Sequence, residues 1–71
     1  MKIQVTFFCD TNKYKPIATV IEVPSFHHYM QRKAYWLERA KASIRAKRYW
    51  SAEEMESFGY TVHKERILKG E

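Results

Sequence analysis

Cationic and aromatic side chains dominate residues 39–50, a stretch with five lysines and arginines, two aromatic residues and no acid. Lysine and arginine neutralise backbone phosphates, and exposed aromatic rings stack on bases, so this combination is typical of nucleic-acid binding. If the stretch is helical, Arg32, Tyr35 and Arg39 face away from its apolar side. The candidate nucleic-acid-binding residues, for DNA or RNA, are Arg32, Tyr35, Arg39, Arg45 and Lys47.

Two structural roles compete with phosphate binding for the same cations. Cations in the last turn of a helix are stabilised by the helix dipole without any partner. The acidic segment 51–58 follows at once, and it could fold back onto Arg45, Lys47 and Arg48. The cations that most require an external partner are therefore Arg39, Arg32 before the stretch, and then Arg45.

The alternative function is a protein-interaction or regulatory module that uses the outer face of the sheet. The alternation of the first two strands leaves Phe8 and Val20 on the outer face of a sheet, away from the long helix. Exposed apolar groups on an open sheet favour contact with a second copy of the chain or with another protein. A base stacked on Phe8 is a further possibility, although sheet surfaces that bind RNA usually carry several aromatic residues.

Residue types suited to catalysis or metal binding have structural explanations here. Cys9 shares a strand face with Ile3, Val5 and Phe7, which predicts a core position. His27 and His28 are adjacent and point about 100° apart on a helix, so they do not form a metal site, and we expect them to face solvent. The acids Glu53, Glu54 and Glu56 fit the first turn of a capped helix. We therefore expect a non-enzymatic protein without cofactor or metal.

A β-hairpin is predicted over residues 1–24. Residues 2–10 alternate between apolar and polar side chains, as a strand with one buried face does. Residues 17–23 are rich in β-branched side chains, with Ile17, Thr19, Ile21 and Val23 on one face. The polar link between the two runs ends at Pro16, which is typical of a turn between antiparallel strands.

A long amphipathic helix is predicted over residues 25–48, which contain no glycine or proline after the capping residue Ser25. Tyr29 and Trp36 flank its apolar stripe. The predicted stripe consists of Phe26, Met30, Ala34, Leu37, Ala40 and Ile44.

The remaining residues predict a short helix and a third strand. Ser51 and Glu54 form a capping box for a helix over residues 51–58, and Gly59 ends it. Tyr49 and Trp50 are expected to pack the junction between the two helices. A strand is predicted over residues 60–68, with its pairing left open, and residues 69–71 are expected to fray.

Together these elements predict an α+β fold of order β-β-α-α-β. The hairpin and the long helix each have one apolar face, so they must cover each other. The expected architecture is a small antiparallel sheet, the hairpin plus the third strand, packed by one long amphipathic helix, with a second, short helix.

Length, charge and cysteine content set the class of protein. The chain has 71 residues and one cysteine, which predicts a single domain without an intrachain disulfide. Residues 26–50 carry seven lysines and arginines against one acid, whereas residues 51–71 carry three against five. The sequence shows no run of about 20 apolar residues and no export signal, so we expect a cytoplasmic protein with no membrane partner.

Overall fold

The computed structural model describes residues 1–68, which form a three-stranded sheet and three helices. The predicted α+β fold is confirmed, with the expected hairpin, third strand and helices in the expected order. The expectation that residues 69–71 fray lies outside the described residues. The elements are β1 (Lys2–Cys9), β2 (Ile17–Glu22), α1 (Phe26–Gln31), α2 (Lys33–Arg48), α3 (Ala52–Ser57) and β3 (Tyr60–Leu68).

The antiparallel sheet has the strand order β2-β1-β3, so the first strand of the chain is the central one. Ile3 of β1 lies opposite Ile21 of β2 and Ile67 of β3. Every second residue of β1 is buried, as its alternation predicts, and β2 alternates in the same way. The third strand, whose pairing the sequence left open, therefore lies beside β1 and not beside β2.

The helices pack on one face of this sheet, and the opposite face is open. Tyr29 of α1, Ala40 and Ile44 of α2, and Met55 of α3 all belong to the same buried core as the inward-facing residues of the strands. Of the outward residues of β1, Gln4, Thr6 and Phe8 are half-buried and Lys2 is exposed. Val20 of β2 is exposed as well. Within residues 1–68, no helix combines the length and apolar character that crossing a membrane requires.

The helix expected over residues 25–48 is interrupted at Arg32. Arg32 adopts φ −124° and ψ 43°, outside the helical region, and thereby separates α1 from α2. The interruption falls between Tyr29 and Lys33, whose side chains both bond to Oε2 of Glu65 on β3. We attribute the bend to this shared oxygen, because the two bonds hold the chain to the sheet on either side of Arg32.

The predicted apolar stripe is correct in its second half and wrong in its first. Ala40 and Ile44 are buried as predicted, but Tyr29, expected at the flank, takes the inward position of α1 and is fully buried. A buried tyrosine needs a partner for its hydroxyl group, and Glu65 supplies one. The predicted stripe members that are exposed are Phe26, Met30 and Ala34.

The predicted caps of the helices are confirmed. The Ser25 hydroxyl group accepts a hydrogen bond from the backbone N–H of His28. At α3, the Ser51 hydroxyl group accepts from the Glu54 N–H, and the Glu54 carboxylate accepts from the Ser51 N–H. Gly59 follows α3 with φ +79°, a conformation that favours glycine. These caps fix where the chain leaves the long helix and enters β3.

Candidate functional site

Arg39 is held by aromatic rings. Its guanidinium carbon lies 5.8 Å from the centre of the Tyr35 ring and 5.9 Å from that of Trp36. One of its N–H groups donates to the Tyr35 hydroxyl group at 3.4 Å. Cation–π contacts of this kind orient a guanidinium group but leave its positive charge uncompensated. Arg39 is therefore positioned and still charged on the surface of α2.

A histidine from α1 completes this group of side chains. The indole N–H of Trp36 donates to Nδ1 of His28 at 3.3 Å, and the two rings meet edge to face. Tyr35 in turn packs edge to face on Trp36, with ring centres 5.1 Å apart. We call His28, Tyr35, Trp36 and Arg39 the aromatic–arginine cluster. His28, which we expected to face solvent, is half-buried because Trp36 lies against it.

Three of the predicted residues, Tyr35, Arg39 and Lys47, lie on one ridge of α2. With Ser43 they recur every four residues, and residues so spaced are neighbours on a helix surface. The Ser43 hydroxyl group lies 3.4 Å from that of Thr19, so this ridge runs over β2. We call Tyr35, Arg39, Ser43 and Lys47 the cationic ridge. Its two cations are separated by about 12 Å along the helix axis, at about 1.5 Å per residue.

The other two predicted residues differ in their surroundings. Arg32 is exposed at the start of α2, seven residues before Arg39 and thus on the same side of the helix. The Arg45 side chain is only 20% exposed and donates to the Glu38 carboxylate at 3.1 Å. The structure therefore groups Arg32 with the cationic ridge and sets Arg45 apart, as a cation with its own internal partner.

The acidic helix α3 does not neutralise the basic stretch. Among the lysines and arginines of residues 1–68, only Lys33 and Arg45 lie within 4.0 Å of a carboxylate, and neither carboxylate is on α3. The Glu54 carboxylate is instead used in the cap of its own helix. Arg48 lies over the Trp50 ring, 5.3 Å from its centre. The compensation by residues 51–58 that the sequence left open is thus not found.

Phe8 and Val20, the residues of the alternative protein-binding function, both lie on the outer face of the sheet, but they are far apart. Phe8 lies opposite Val62, and the Lys64 ammonium group is 5.9 Å from the centre of the Phe8 ring. Val20 lies opposite Gln4, four residues from Phe8 along β1 and hence about 13 Å away. Polar and cationic residues stand between and beside them. This face is open, but its apolar side chains do not form one continuous patch.

The junction after α2 differs from the prediction at one of its two aromatic residues. Trp50 packs against the core as expected. Tyr49 is 92% exposed, because it caps α2 in the left-handed conformation, with φ 57°, and its side chain turns away from the junction. Tyr49 therefore does not pack at the junction, and it can serve as a control for substitutions of other tyrosine residues.

The single cysteine is a core residue, as predicted. Cys9 is buried, and its sulfur lies 3.1 Å from the Thr11 hydroxyl oxygen and 3.2 Å from the Phe58 carbonyl oxygen. The hydrogen bond with Thr11 lowers the pKa of the thiol to about 7, although burial acts in the opposite direction. A thiol that is 4% exposed offers little access to a substrate, whatever its pKa.

Among residues 1–68, Glu65, on the helix-facing side of β3, is the ionisable group with the most polar side-chain contacts. It accepts from the Tyr29 hydroxyl group and lies 3.2 Å from the Lys33 ammonium group and 3.6 Å from His63 Nε2. Partial burial raises the pKa of Glu65, but the hydrogen bonds from Tyr29 and Lys33 outweigh it, so the pKa lies below its usual value. These contacts explain the group as a structural link between helix and sheet.

Neither a search for metal sites nor a comparison with known proteins gives a further candidate for a functional site. Among residues 1–68, no three histidine, cysteine, aspartate or glutamate side chains are grouped as a metal site requires. Among protein-family models, curated proteins and solved structures, none matches this chain. The function is therefore inferred from the surfaces described above.

Proposed function

We propose that this protein binds nucleic acid, DNA or RNA, and does so without catalysing a reaction on it. The observation that carries this proposal is the cationic ridge, on which Arg39 and Lys47 have no carboxylate within 4.0 Å among residues 1–68. Arg32 adds a third cation on the same side of the helix. A surface shaped only for solubility would mix the two signs of charge. The Cys9 thiol suits the reducing cytoplasm, where we place the protein.

The aromatic–arginine cluster supports the same function. An arginine that stacks on aromatic rings loses less side-chain freedom when it binds a phosphate than a lysine in solution does. Tyr35 is 51% exposed beside it and offers a ring edge and a hydroxyl group to a sugar or base. In this proposal Arg32, Arg39 and Lys47 contact phosphates, and Tyr35 contacts the nucleotide between them.

The proposal gives a definite salt dependence. Three phosphate contacts correspond to a slope of about −2.7 in log K against log salt on duplex DNA, and about −2 on a single strand. A fourfold rise, from 50 to 200 mM salt, should therefore weaken binding about 20- to 40-fold. Fluorescence anisotropy of labelled 20-nucleotide single strands and 20-base-pair duplexes measures this directly.

Charge reversal locates the binding surface. Arg32→Glu with Arg39→Glu should weaken binding at 50 mM salt by more than tenfold. Lys64→Glu with Arg66→Glu is the matched control, because it makes the same change of charge on the outer face of the sheet. Equal losses in the two double variants would show that only net charge matters, and this result would refute the proposed surface.

The second candidate function is a contact with protein through the outer face of the sheet. The observation that favours it is that this face is open and exposes Val62, which lies opposite Phe8, and Val20, each 50% exposed. Light scattering of the wild type and of Phe8→Ser tests self-association. A dimer that Phe8→Ser dissociates would support this function, and a wild-type monomer at millimolar concentration would reject the dimer.

A further inference from the structure

A cleft with aromatic walls opens where the hairpin turn meets the end of α2. It measures about 300 Å³, and its walls include Tyr14, Trp50, Phe58 and Tyr60. This volume is at the lower end of those that hold small molecules, so the cleft admits one ring system and excludes a helix or a duplex. Its residues come from three separate parts of the sequence, which is why the sequence alone did not reveal it.

The walls of the cleft are held in place by the rest of the fold. The Tyr60 hydroxyl group donates to the Lys15 carbonyl oxygen at 2.9 Å, which ties β3 to the hairpin turn. The Trp50 and Phe58 rings are 4.7 Å apart, and both pack against the core. Trp50 and Tyr60 are nearly parallel, with 24° between their planes. A ligand therefore meets aromatic walls that are already formed.

Tyr14 is the outer wall, and it is the one that can be changed with least effect on the core. Its ring centre lies 5.3 Å from that of Phe58, at an angle of 63°. Tyr14 is 41% exposed, whereas Tyr60 is buried. A substitution of Tyr14, on the rim of the cleft, should therefore affect ligand binding with little effect on the stability of the fold.

Two cations lie at the rim of this aromatic cleft. The Arg48 guanidinium group lies over Trp50, and the Lys13 ammonium group is 5.7 Å from the centre of the Tyr14 ring. Neither cation has a carboxylate within 4.0 Å among residues 1–68. The ligand that matches flat aromatic walls with positive charge at the rim is a planar ring that carries an anionic group.

The cleft also continues toward the cationic ridge. A neighbouring groove shares Ile17 and Arg48 with the cleft and adds Lys47, the last residue of the ridge. A chain whose phosphates follow Arg39, Lys47 and Arg48 would therefore end at the aromatic walls. In a duplex the bases are paired and stacked inside the helix, so only an unpaired base can enter.

We propose that the aromatic cleft binds one unpaired nucleobase of a single-stranded nucleic acid whose phosphates contact Lys47 and Arg48. This inference rests on the proposed function and adds to it a base contact that only a single strand, or a duplex with an unpaired end, can make. Removing one stacking ring from such a site weakens binding about 5- to 140-fold, at tenfold per 1.4 kcal/mol.

The test uses a 12-nucleotide oligothymidylate and a blunt 12-base-pair duplex at 50 mM salt. Tyr14→Ser should weaken binding of the single strand about tenfold and leave binding of the duplex unchanged. Tyr49→Ser is the matched control, because Tyr49 is an exposed tyrosine beside Trp50 that does not line the cleft. It should change neither affinity.

Nuclear magnetic resonance gives a second readout on the wild-type protein. The indole N–H signal of Trp50, assigned by its presence in Trp36→Phe, should shift with the oligothymidylate and not with the duplex. Circular dichroism checks that Tyr14→Ser is folded. If it is not, Tyr14→Leu replaces it, because this variant also removes the ring and should show the same loss.

The outcomes separate the two proposals. If both ligands bind with the expected salt dependence but Tyr14→Ser and Tyr49→Ser behave alike and the Trp50 signal does not move, the cleft proposal is overturned and the proposed function stands. If neither ligand binds at 50 mM salt, the proposed function fails, and the cleft proposal fails with it.

Discussion

Replacing Glu65 with leucine should destabilise the fold by about 2 kcal/mol, since an unpaired buried hydroxyl group costs about 1–3 kcal/mol. The hydroxyl group is that of Tyr29, which is fully buried and donates to Glu65. The ion pair with Lys33 is partly exposed and adds at most about 1 kcal/mol. In a domain of this size the loss corresponds to a fall in Tm of about 8–16 °C.

The partner variant identifies the cause of this loss. Tyr29→Phe removes the hydroxyl group and leaves Glu65 with Lys33 and water, so it should cost only about 1 kcal/mol. In the Glu65→Leu background, Tyr29→Phe should cost almost nothing, because no buried polar group is left without a partner. The double-mutant cycle should therefore give a coupling energy of about 1 kcal/mol.

The pH dependence follows from the lowered pKa of Glu65. A carboxyl group with a lowered pKa in the folded protein stabilises the fold above its unfolded pKa of about 4.3, and this contribution is lost as the pH falls through the folded pKa. The stability difference between wild type and Glu65→Leu should therefore decrease as the pH falls below about 4.

Urea unfolding followed by circular dichroism measures all of these quantities. Glu22→Leu is the control, because Glu22 is an exposed glutamate on another strand, and it should change stability by less than about 0.5 kcal/mol. If Glu65→Leu and Glu22→Leu have equal effects, or if the coupling energy is zero, Glu65 does not link the helix to the sheet, and our explanation of the bend at Arg32 is wrong.

Two further predictions concern the turn from α2 into β3. Gly59→Ala should destabilise the protein by about 1–2 kcal/mol, because the position has φ +79° and an added Cβ would lie 2.7 Å from Asp10 Oδ1; an unchanged midpoint in urea would contradict this. Ser51→Ala should cost about 1 kcal/mol through loss of the capping box, whereas Ser57→Ala, at the other end of the same short helix, should cost less; thermal unfolding that ranks the two in the reverse order would reject this account of the cap.

Local patterns in the sequence predict much of this fold. The alternation around Ile3, Val5 and Phe7 identifies the buried face of β1 without knowledge of any partner strand. The spacing of Ser51 and Glu54, followed by Gly59, identifies both ends of α3, because caps depend on neighbours three or four residues away. Such features depend only on residues close in the sequence, so periodicity and residue type are sufficient to predict them.

Features that depend on contacts between distant residues were not predictable in this way. The inward position of Tyr29, in place of Met30, depends on Glu65, and its location is known only once β3 is paired with β1. The aromatic cleft likewise joins Tyr14 to Trp50 and Tyr60, and no sequence spacing indicates this. In the candidate site, the sequence predicted the cations of the cationic ridge but not the contacts with aromatic rings that hold Arg39.

The salt dependence of binding tests the central claim most directly. The wild type and two double variants, Arg39→Gln with Lys47→Gln and Lys64→Gln with Arg66→Gln, are titrated onto the same duplex at several salt concentrations. Loss of two phosphate contacts from the cationic ridge should make the slope of log K against log salt shallower by about 1.8, and the sheet variant should keep the wild-type slope. A wild-type slope near zero, or an equal change in both variants, would contradict the proposal that the cationic ridge binds nucleic acid.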